Sequence, residues 1–90
     1  MIKWSKKAEA QLEKHYELMR LREYQDPDAV IDRIFEAIEH LVLNPKMGKE
    51  LVGGLYKLTI KNPQYVVFYT AGKDIRITGI YHHSQNRPLL

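Results

Sequence analysis

The chain has 90 residues, of which 44% are hydrophobic and 28% are charged, and it contains no cysteine. This length predicts one domain, residues 1–90, with a modest core, and the lack of cysteine excludes disulfide frameworks, thiolate zinc sites and thiol catalysis. We see no apolar leader segment and no run of about 20 apolar residues, so we expect a cytoplasmic protein with no membrane partner.

The two halves of the chain differ in charge. Residues 1–45 contain seven Lys/Arg and nine Asp/Glu, a net charge of −2, whereas residues 46–90 contain seven and two, a net charge of +5. The basic second half indicates an anionic partner, either nucleic acid or an acidic protein segment. A solvated basic surface would give the same composition, so the charge alone does not decide.

The chain opens with a pattern that predicts a short strand followed by a helix. Residues 2–4 alternate in polarity, and Ser5 is a suitable N-cap for a helix from residue 6 to about residue 23. The apolar positions of this helix have the spacing of one helix face: Ala8, Leu12, Tyr16 and Met19, with His15 beside them.

A second helix has clear start and stop signals. Asp26 is a good N-cap and Pro27 fits the first helical position, while Asn44 and Pro45 end the helix. Its apolar stripe consists of Val30, Ile34, Ile38 and Leu41, widened by Ile31, Phe35, Ala37 and Val42. The two helices with a short link between them predict a helical hairpin.

The second half changes to the period of two that is typical of strands. After a glycine-containing loop at residues 46–54, one strand runs from Tyr56 to about residue 61, and a nearly apolar strand at residues 65–70 is expected at the centre of its sheet. A third strand runs from Ile75 to about His82. Helices grouped before strands predict an α+β fold, with the helical hairpin packed on one face of a three-stranded antiparallel meander.

Strand alternation predicts a basic platform on this sheet. Lys57, Thr59 and Lys61 share one face of their strand. Arg76 and Thr78 share one face of the last strand, and His82 has the same parity. If both sets face away from the helices, the platform can hold phosphates and has a histidine at its edge. An ordinary solvent-facing strand would also carry polar residues at these positions.

His82 and His83 are adjacent on a strand, so they point to opposite faces and do not chelate one metal. We therefore expect no metal and no other cofactor. A general acid–base role or a packed core position fits one of the two histidines.

Over nearly its whole length the chain resembles the RelE/ParE superfamily of toxins from bacterial type II toxin–antitoxin systems. Four segments carry the resemblance: Ile2-Lys3-Trp4-Ser5 before a charged helix, Leu41-Val42-Leu43-Asn44-Pro45 before Met47-Gly48-Lys49-Glu50-Leu51, Gly54-Leu55-Tyr56-Lys57-Leu58 before Tyr65-Val66-Val67-Phe68-Tyr69, and Ile75-Arg76-Ile77-Thr78-Gly79-Ile80-Tyr81-His82. The resemblance implies two helices on a curved antiparallel sheet. It also implies a cytoplasmic toxin in a hetero-oligomer with a cognate antitoxin, whose C-terminal segment folds over the toxin's groove.

The superfamily has two activities, and the resemblance favours the ParE-like branch. The strand that often supplies a catalytic arginine in the nucleases reads Gln64-Tyr65-Val66-Val67-Phe68-Tyr69, with no basic residue. A ParE-like toxin would block DNA gyrase by protein contact, without catalysis. The expected contact residues are Lys57, Lys61, Arg76, His82, His83, Gln85, Asn86 and Arg87.

Two alternatives remain at this point. A RelE-like, metal-independent endoribonuclease would cut mRNA on the ribosome. It would use His82 or His83 as acid or base, and Lys57, Lys61 and Arg76 to hold the phosphate. The other alternative is an inactive relative that only binds an antitoxin.

Overall fold

The computed structural model describes residues 1–22, 26–61 and 64–82. The elements in chain order are β1 (Ile2–Trp4), α1 (Lys6–Leu21), α2 (Pro27–Leu43), β2 (Lys49–Glu50), β3 (Leu55–Ile60), β4 (Tyr65–Ala71) and β5 (Ile75–His82). The predicted order of one short strand, two helices and a meander is confirmed, and the fold is α+β. No helix in the described ranges is long and apolar enough to cross a membrane.

The sheet has five strands rather than the three of the predicted meander, in the order β1-β5-β4-β3-β2. β4 is central, as its apolar sequence predicts. The additional strand β2 lies within the predicted loop and pairs antiparallel with β3. β1 pairs parallel with β5, with Ile2 opposite Ile75, so the sheet is mixed. β1 was predicted as a strand but not as a member of this sheet, and β2 was not predicted, because the sequence of a two- or three-residue strand does not specify its long-range pairing.

The helices begin where their capping residues predict. The Ser5 Oγ accepts from the Ala8 N–H at 3.0 Å, and the Asp26 Oδ1 accepts from the Ala29 N–H at 3.1 Å. These two bonds satisfy amides that the first turn of a helix leaves without partners. α2 ends at Leu43, and the N–H of its C-cap residue Asn44 donates to the His40 carbonyl.

The core lies between α2, α1 and one face of the sheet. Its largest fully buried side chains include Ile34, Ile38 and Leu41 of α2 and Tyr69, Ile77 and Ile80 of the sheet. We call the sheet face that carries Tyr56, Leu58 and Ile60 the helix face, and the opposite face the outer face. This division decides which polar residues of the strands lie together.

Tyr69 of β4 joins the loop after α2 to the sheet. Its hydroxyl donates to the Pro45 carbonyl at 2.9 Å and accepts from the Gly48 N–H at 2.9 Å. Its ring stacks on Tyr56, with the centroids 5.3 Å apart. Burial raises the pKa of Tyr69, so the hydroxyl remains protonated and able to donate at neutral pH.

We expect Tyr69→Phe to lower the free energy of unfolding by about 1 kcal/mol, because the Gly48 amide and the Pro45 carbonyl lose their partner. Urea unfolding measures this change. Tyr56→Phe is the matched control, since the Tyr56 hydroxyl makes no hydrogen bond with any described residue. An equal loss in both variants would show that the hydroxyl bridge contributes nothing specific.

Candidate functional site

The outer face of the sheet carries cations on four of its five strands, as two cross-strand pairs. The strand register places Lys49 of β2 opposite Lys57 of β3, and Arg76 of β5 opposite Lys3 of β1. We call these four residues the basic stripe. The shared face of Lys57 and Arg76 agrees with the sequence analysis. Lys3 and Lys49 were missed because their positions depend on the pairing of the two shortest strands.

The charges of the basic stripe are poorly compensated. Asp74 lies 3.5 Å from the Lys3 Nζ and 3.8 Å from the Met1 ammonium. Lys49, Lys57 and Arg76 make no ion pair with any residue of the described ranges. Like charges directly opposite on neighbouring strands destabilise a sheet. An anionic partner would reduce this repulsion between the paired cations of the basic stripe.

A β-bulge in β5 overturns the expected position of His82. Tyr69 of β4 pairs with Ile77, but Phe68 pairs with Gly79, so Thr78 is an extra residue in β5. The Thr78 hydroxyl donates to the Phe68 carbonyl at 3.2 Å. One inserted residue reverses the alternation of all that follow. The prediction that His82 shares a face with Arg76 and Thr78 is therefore wrong, since His82 pairs with Tyr65 on the helix face.

The bulge separates the residues proposed for RNA cleavage. A general acid or base must reach the same phosphate that the cations hold, within hydrogen-bonding distance or through one water. Here the sheet lies between His82 and the pair formed by Lys57 and Arg76. Lys61 is exposed directly after β3. His83, Gln85, Asn86 and Arg87 lie outside the described residues.

On the helix face, three rings form a column that includes His82. His15 of α1 contacts Tyr65 edge to face with centroids 5.2 Å apart, and Tyr65 contacts His82 in the same way at 5.2 Å. The His15 Nε2 lies 3.0 Å from the Ile80 carbonyl, and the Gln11 Oε1 accepts from the Ile80 N–H at 2.9 Å. α1 therefore covers the edge of β5 beyond the point where β1 stops.

Burial lowers the pKa of His15, and the nearby His82 and Lys14 lower it further, while the bond to Ile80 opposes the shift. The pKa of His15 in the folded state is below its ordinary value of about 6.5. As the pH falls past 6.5, the unfolded state therefore binds more protons than the folded state. The contribution of neutral His15 to stability is thus complete above that pH and declines below it.

We expect the free energy of unfolding to fall between pH 7.5 and pH 5.5, and His15→Gln to reduce this pH dependence. Urea titrations at several pH values measure it. His40→Gln is the control, because His40 is an exposed histidine of α2. If both variants keep the wild-type pH profile, His15 is not the titrating group.

A second surface is an apolar groove of about 510 Å³ on the helical side of the molecule. Trp4 of β1 and Phe35 of α2 meet edge to face in it, with centroids 5.6 Å apart. The apolar lining is completed by Leu12, Tyr16 and Ile31. Phe35 is 41% exposed, although it extends the buried stripe of α2. The apolar stripe of α2 includes more positions than its four core residues, and these additional positions were the signal in the sequence for an exposed apolar surface.

The rim of the groove is acidic. Glu9 and Glu13 line it from α1, one helical turn apart, where like charges repel. Neither makes an ion pair with a described residue. From the other side, hydrogen bonding to Asp28 of α2 raises the pKa of Tyr16. A segment that fills this groove therefore needs an apolar stripe, with neutral or basic residues beside it.

Comparison with known proteins agrees with this architecture. The model of the family described as ParE toxin of type II toxin–antitoxin system, parDE, matches residues 2–87. A solved structure described as the chromosomal ParDE TA system from P. aeruginosa is similar in fold, with a TM-score of 0.65 and 24% identity, and the similarity covers 90% of this chain and 92% of that one. No curated protein matches.

The described residues form a small α+β domain, a helical hairpin on a five-stranded sheet, with an apolar groove on one side and a basic stripe on the other. Because the family model covers nearly the whole chain, this protein belongs to the ParE toxin family. The predicted family and its ParE-like branch are confirmed. The individual contact residues stay predictions.

Proposed function

We propose that this protein is a cytoplasmic toxin that stops growth by blocking DNA gyrase through protein contact, and that a cognate antitoxin neutralises it. The observation that carries the proposal is the ParE family match over residues 2–87. The position of His82, across the sheet from Lys57 and Arg76, supports a contact mechanism over cleavage of RNA. The proposed contact surface combines the basic outer face with the tail residues Gln85, Asn86 and Arg87.

The apolar groove is the proposed docking site of the antitoxin. Its exposed aromatic ring and apolar lining fit the apolar stripe of an amphipathic segment that folds on binding. Glu9 and Glu13 favour Lys or Arg at the flanks of that segment.

The proposal is tested by gyrase supercoiling with the purified toxin, with and without its antitoxin. We expect inhibition by the toxin alone and relief at one equivalent of antitoxin. Replacement of Gln85, Asn86 and Arg87 by alanine should weaken inhibition without changing the melting temperature. Full supercoiling activity at toxin levels that arrest growth would reject gyrase as the target.

Messenger RNA from arrested cells provides the second readout. Intact transcripts are expected for a gyrase inhibitor. Cleaved transcripts that disappear in an Arg76→Ala variant would instead support the endoribonuclease alternative. Expression without growth arrest would indicate a relative that only binds an antitoxin.

A further inference from the structure

The centre of the outer face is aromatic. Phe68 of β4 and Tyr81 of β5 are half-buried there, with their ring centroids 5.7 Å apart. Gly79 pairs with Phe68, and a Cβ on Gly79 would lie 3.1 Å from the Tyr81 ring. The lack of a side chain at Gly79 therefore lets the Tyr81 ring lie beside Phe68. Phe68 lies directly opposite Lys57 of β3, and Tyr81 lies beyond Gly79 from Arg76 along β5, so the pair lies beside the basic stripe.

The dimensions of the basic stripe suit a short extended polymer. Neighbouring strands lie about 4.8 Å apart, so the four spacings from β2 to β1 make the stripe roughly 19 Å long. A length of this order accommodates a few nucleotides of a single strand. The cations lie towards both ends of the stripe, with Phe68 on β4 between them and the Tyr81 ring beside Phe68.

This arrangement favours a nucleic acid over an acidic peptide. Both polymers would neutralise Lys49, Lys57 and Arg76, but only a nucleic acid carries flat bases that stack on aromatic rings at regular distances from its charges. The hydroxyls of Thr59 and Thr70 add neutral donors on the same face. A rigid duplex keeps its bases stacked inside, so its bases would not reach Phe68 or Tyr81.

We propose that the outer face binds a single nucleic acid strand, with the basic stripe on its phosphates and the Phe68–Tyr81 pair against its bases. The binding is non-catalytic, because His82 lies on the helix face. It does not depend on gyrase being the target, and a DNA or an RNA strand would satisfy the same chemistry.

The test is fluorescence anisotropy of the full chain with labelled dT12, rU12, a hairpin duplex and a twelve-residue polyglutamate peptide. Single strands should bind most tightly, and the affinity should fall between 50 and 200 mM salt, as release of counterions from about three phosphates requires. A higher affinity for dT12 than for rU12 assigns the surface to DNA, and the reverse assigns it to RNA. Tighter binding of the peptide or the duplex, or binding of none of these probes, would overturn the proposal.

Variants connect the binding to the face. The double variant Lys57→Glu/Arg76→Glu should weaken single-strand binding at least tenfold, and Phe68→Leu at least threefold at constant charge. Lys6→Glu/Lys7→Glu on α1 makes the same change in net charge away from the face and should keep at least half of the affinity. Lys49→Ala, at an exposed position, reports on the stripe even if the double variant is unstable. Equal losses in the α1 control would reduce the effect to net charge and reject a defined site.

Discussion

A toxin carrying Phe35→Asp should arrest growth even when its antitoxin is present in excess. The substitution puts a carboxylate into the apolar groove, next to Trp4 and facing the acidic rim formed by Glu9 and Glu13. Binding would then bury an unpaired charge among like charges, a loss typical of an interface hot spot. We expect the affinity for the antitoxin to fall at least 100-fold, measured by calorimetry, while gyrase inhibition by the free toxin is unchanged.

The control for this variant is Val42→Asp. Val42 is also on α2 and is 49% exposed, close to the 41% of Phe35, but it does not line the groove. Val42→Asp should therefore bind the antitoxin as the wild type does. Wild-type affinity of Phe35→Asp would place the antitoxin elsewhere on the toxin, whereas an equal loss in both variants would indicate a general effect of charge on α2.

Among substitutions that add one methyl group to the loop between α2 and β3, Gly48→Ala should destabilise the folded state most. An added Cβ would lie 2.8 Å from the Lys57 carbonyl and 2.9 Å from the Tyr69 hydroxyl, and neither group has a flexible chain that can move aside. The loop must shift and release the Tyr69 bridge. We expect a loss of about 2–3 kcal/mol in the free energy of unfolding, from overpacking and the broken hydrogen bonds together.

Gly72→Ala is the matched control, because nothing lies within 4 Å of its Cβ position and its φ is not positive. Its stability should stay within about 0.5 kcal/mol of the wild type, as for most surface substitutions. Gly48→Ala should also weaken the binding of single-stranded nucleic acid to the outer face, because a shift of Gly48 displaces the neighbouring Lys49 of the basic stripe. A stable Gly48→Ala protein would show that β2 can detach from β3 at little cost.

The helices were predictable because their signals are local. Asp26 and Pro27 satisfy or remove amides at the start of α2, and these effects act within one turn wherever the helix lies. The core face of α2 followed from the spacing of Ile34, Ile38 and Leu41, and all three are buried. The α+β class followed from the order of elements, which limits how they can pack.

The faces of β5 were only half predictable. Alternation placed Arg76 correctly because no irregularity lies between it and Ile75. Beyond the bulge the same argument failed for His82. A signal was present, since the step between apolar positions is two from Ile75 to Ile77 but three from Ile77 to Ile80, which marks one extra residue. Such a change of spacing between apolar residues also occurs by chance, so only the pairing of β5 with β4 shows that a bulge is present.

The basic stripe and the groove needed the tertiary structure. Lys49 joins the stripe because Tyr69, twenty-one residues away from Gly48, holds the loop that precedes it. Trp4 contacts Phe35 of α2 because β1 pairs with the last strand at the edge of the sheet. These contacts combine segments that are distant along the chain, and no local pattern encodes them.

The parallel pairing of β1 with β5 has a consequence for when the nascent chain can fold. Ile2 pairs with Ile75, so neither the sheet nor the Gln11 and His15 contacts with Ile80 can be completed until that part of the chain has left the ribosome. Contacts of such long sequence separation also close slowly, because the entropy of the intervening loop is lost first. Because Lys3 of the basic stripe and Trp4 of the apolar groove both belong to β1, we expect neither surface to be complete before the last strand has emerged.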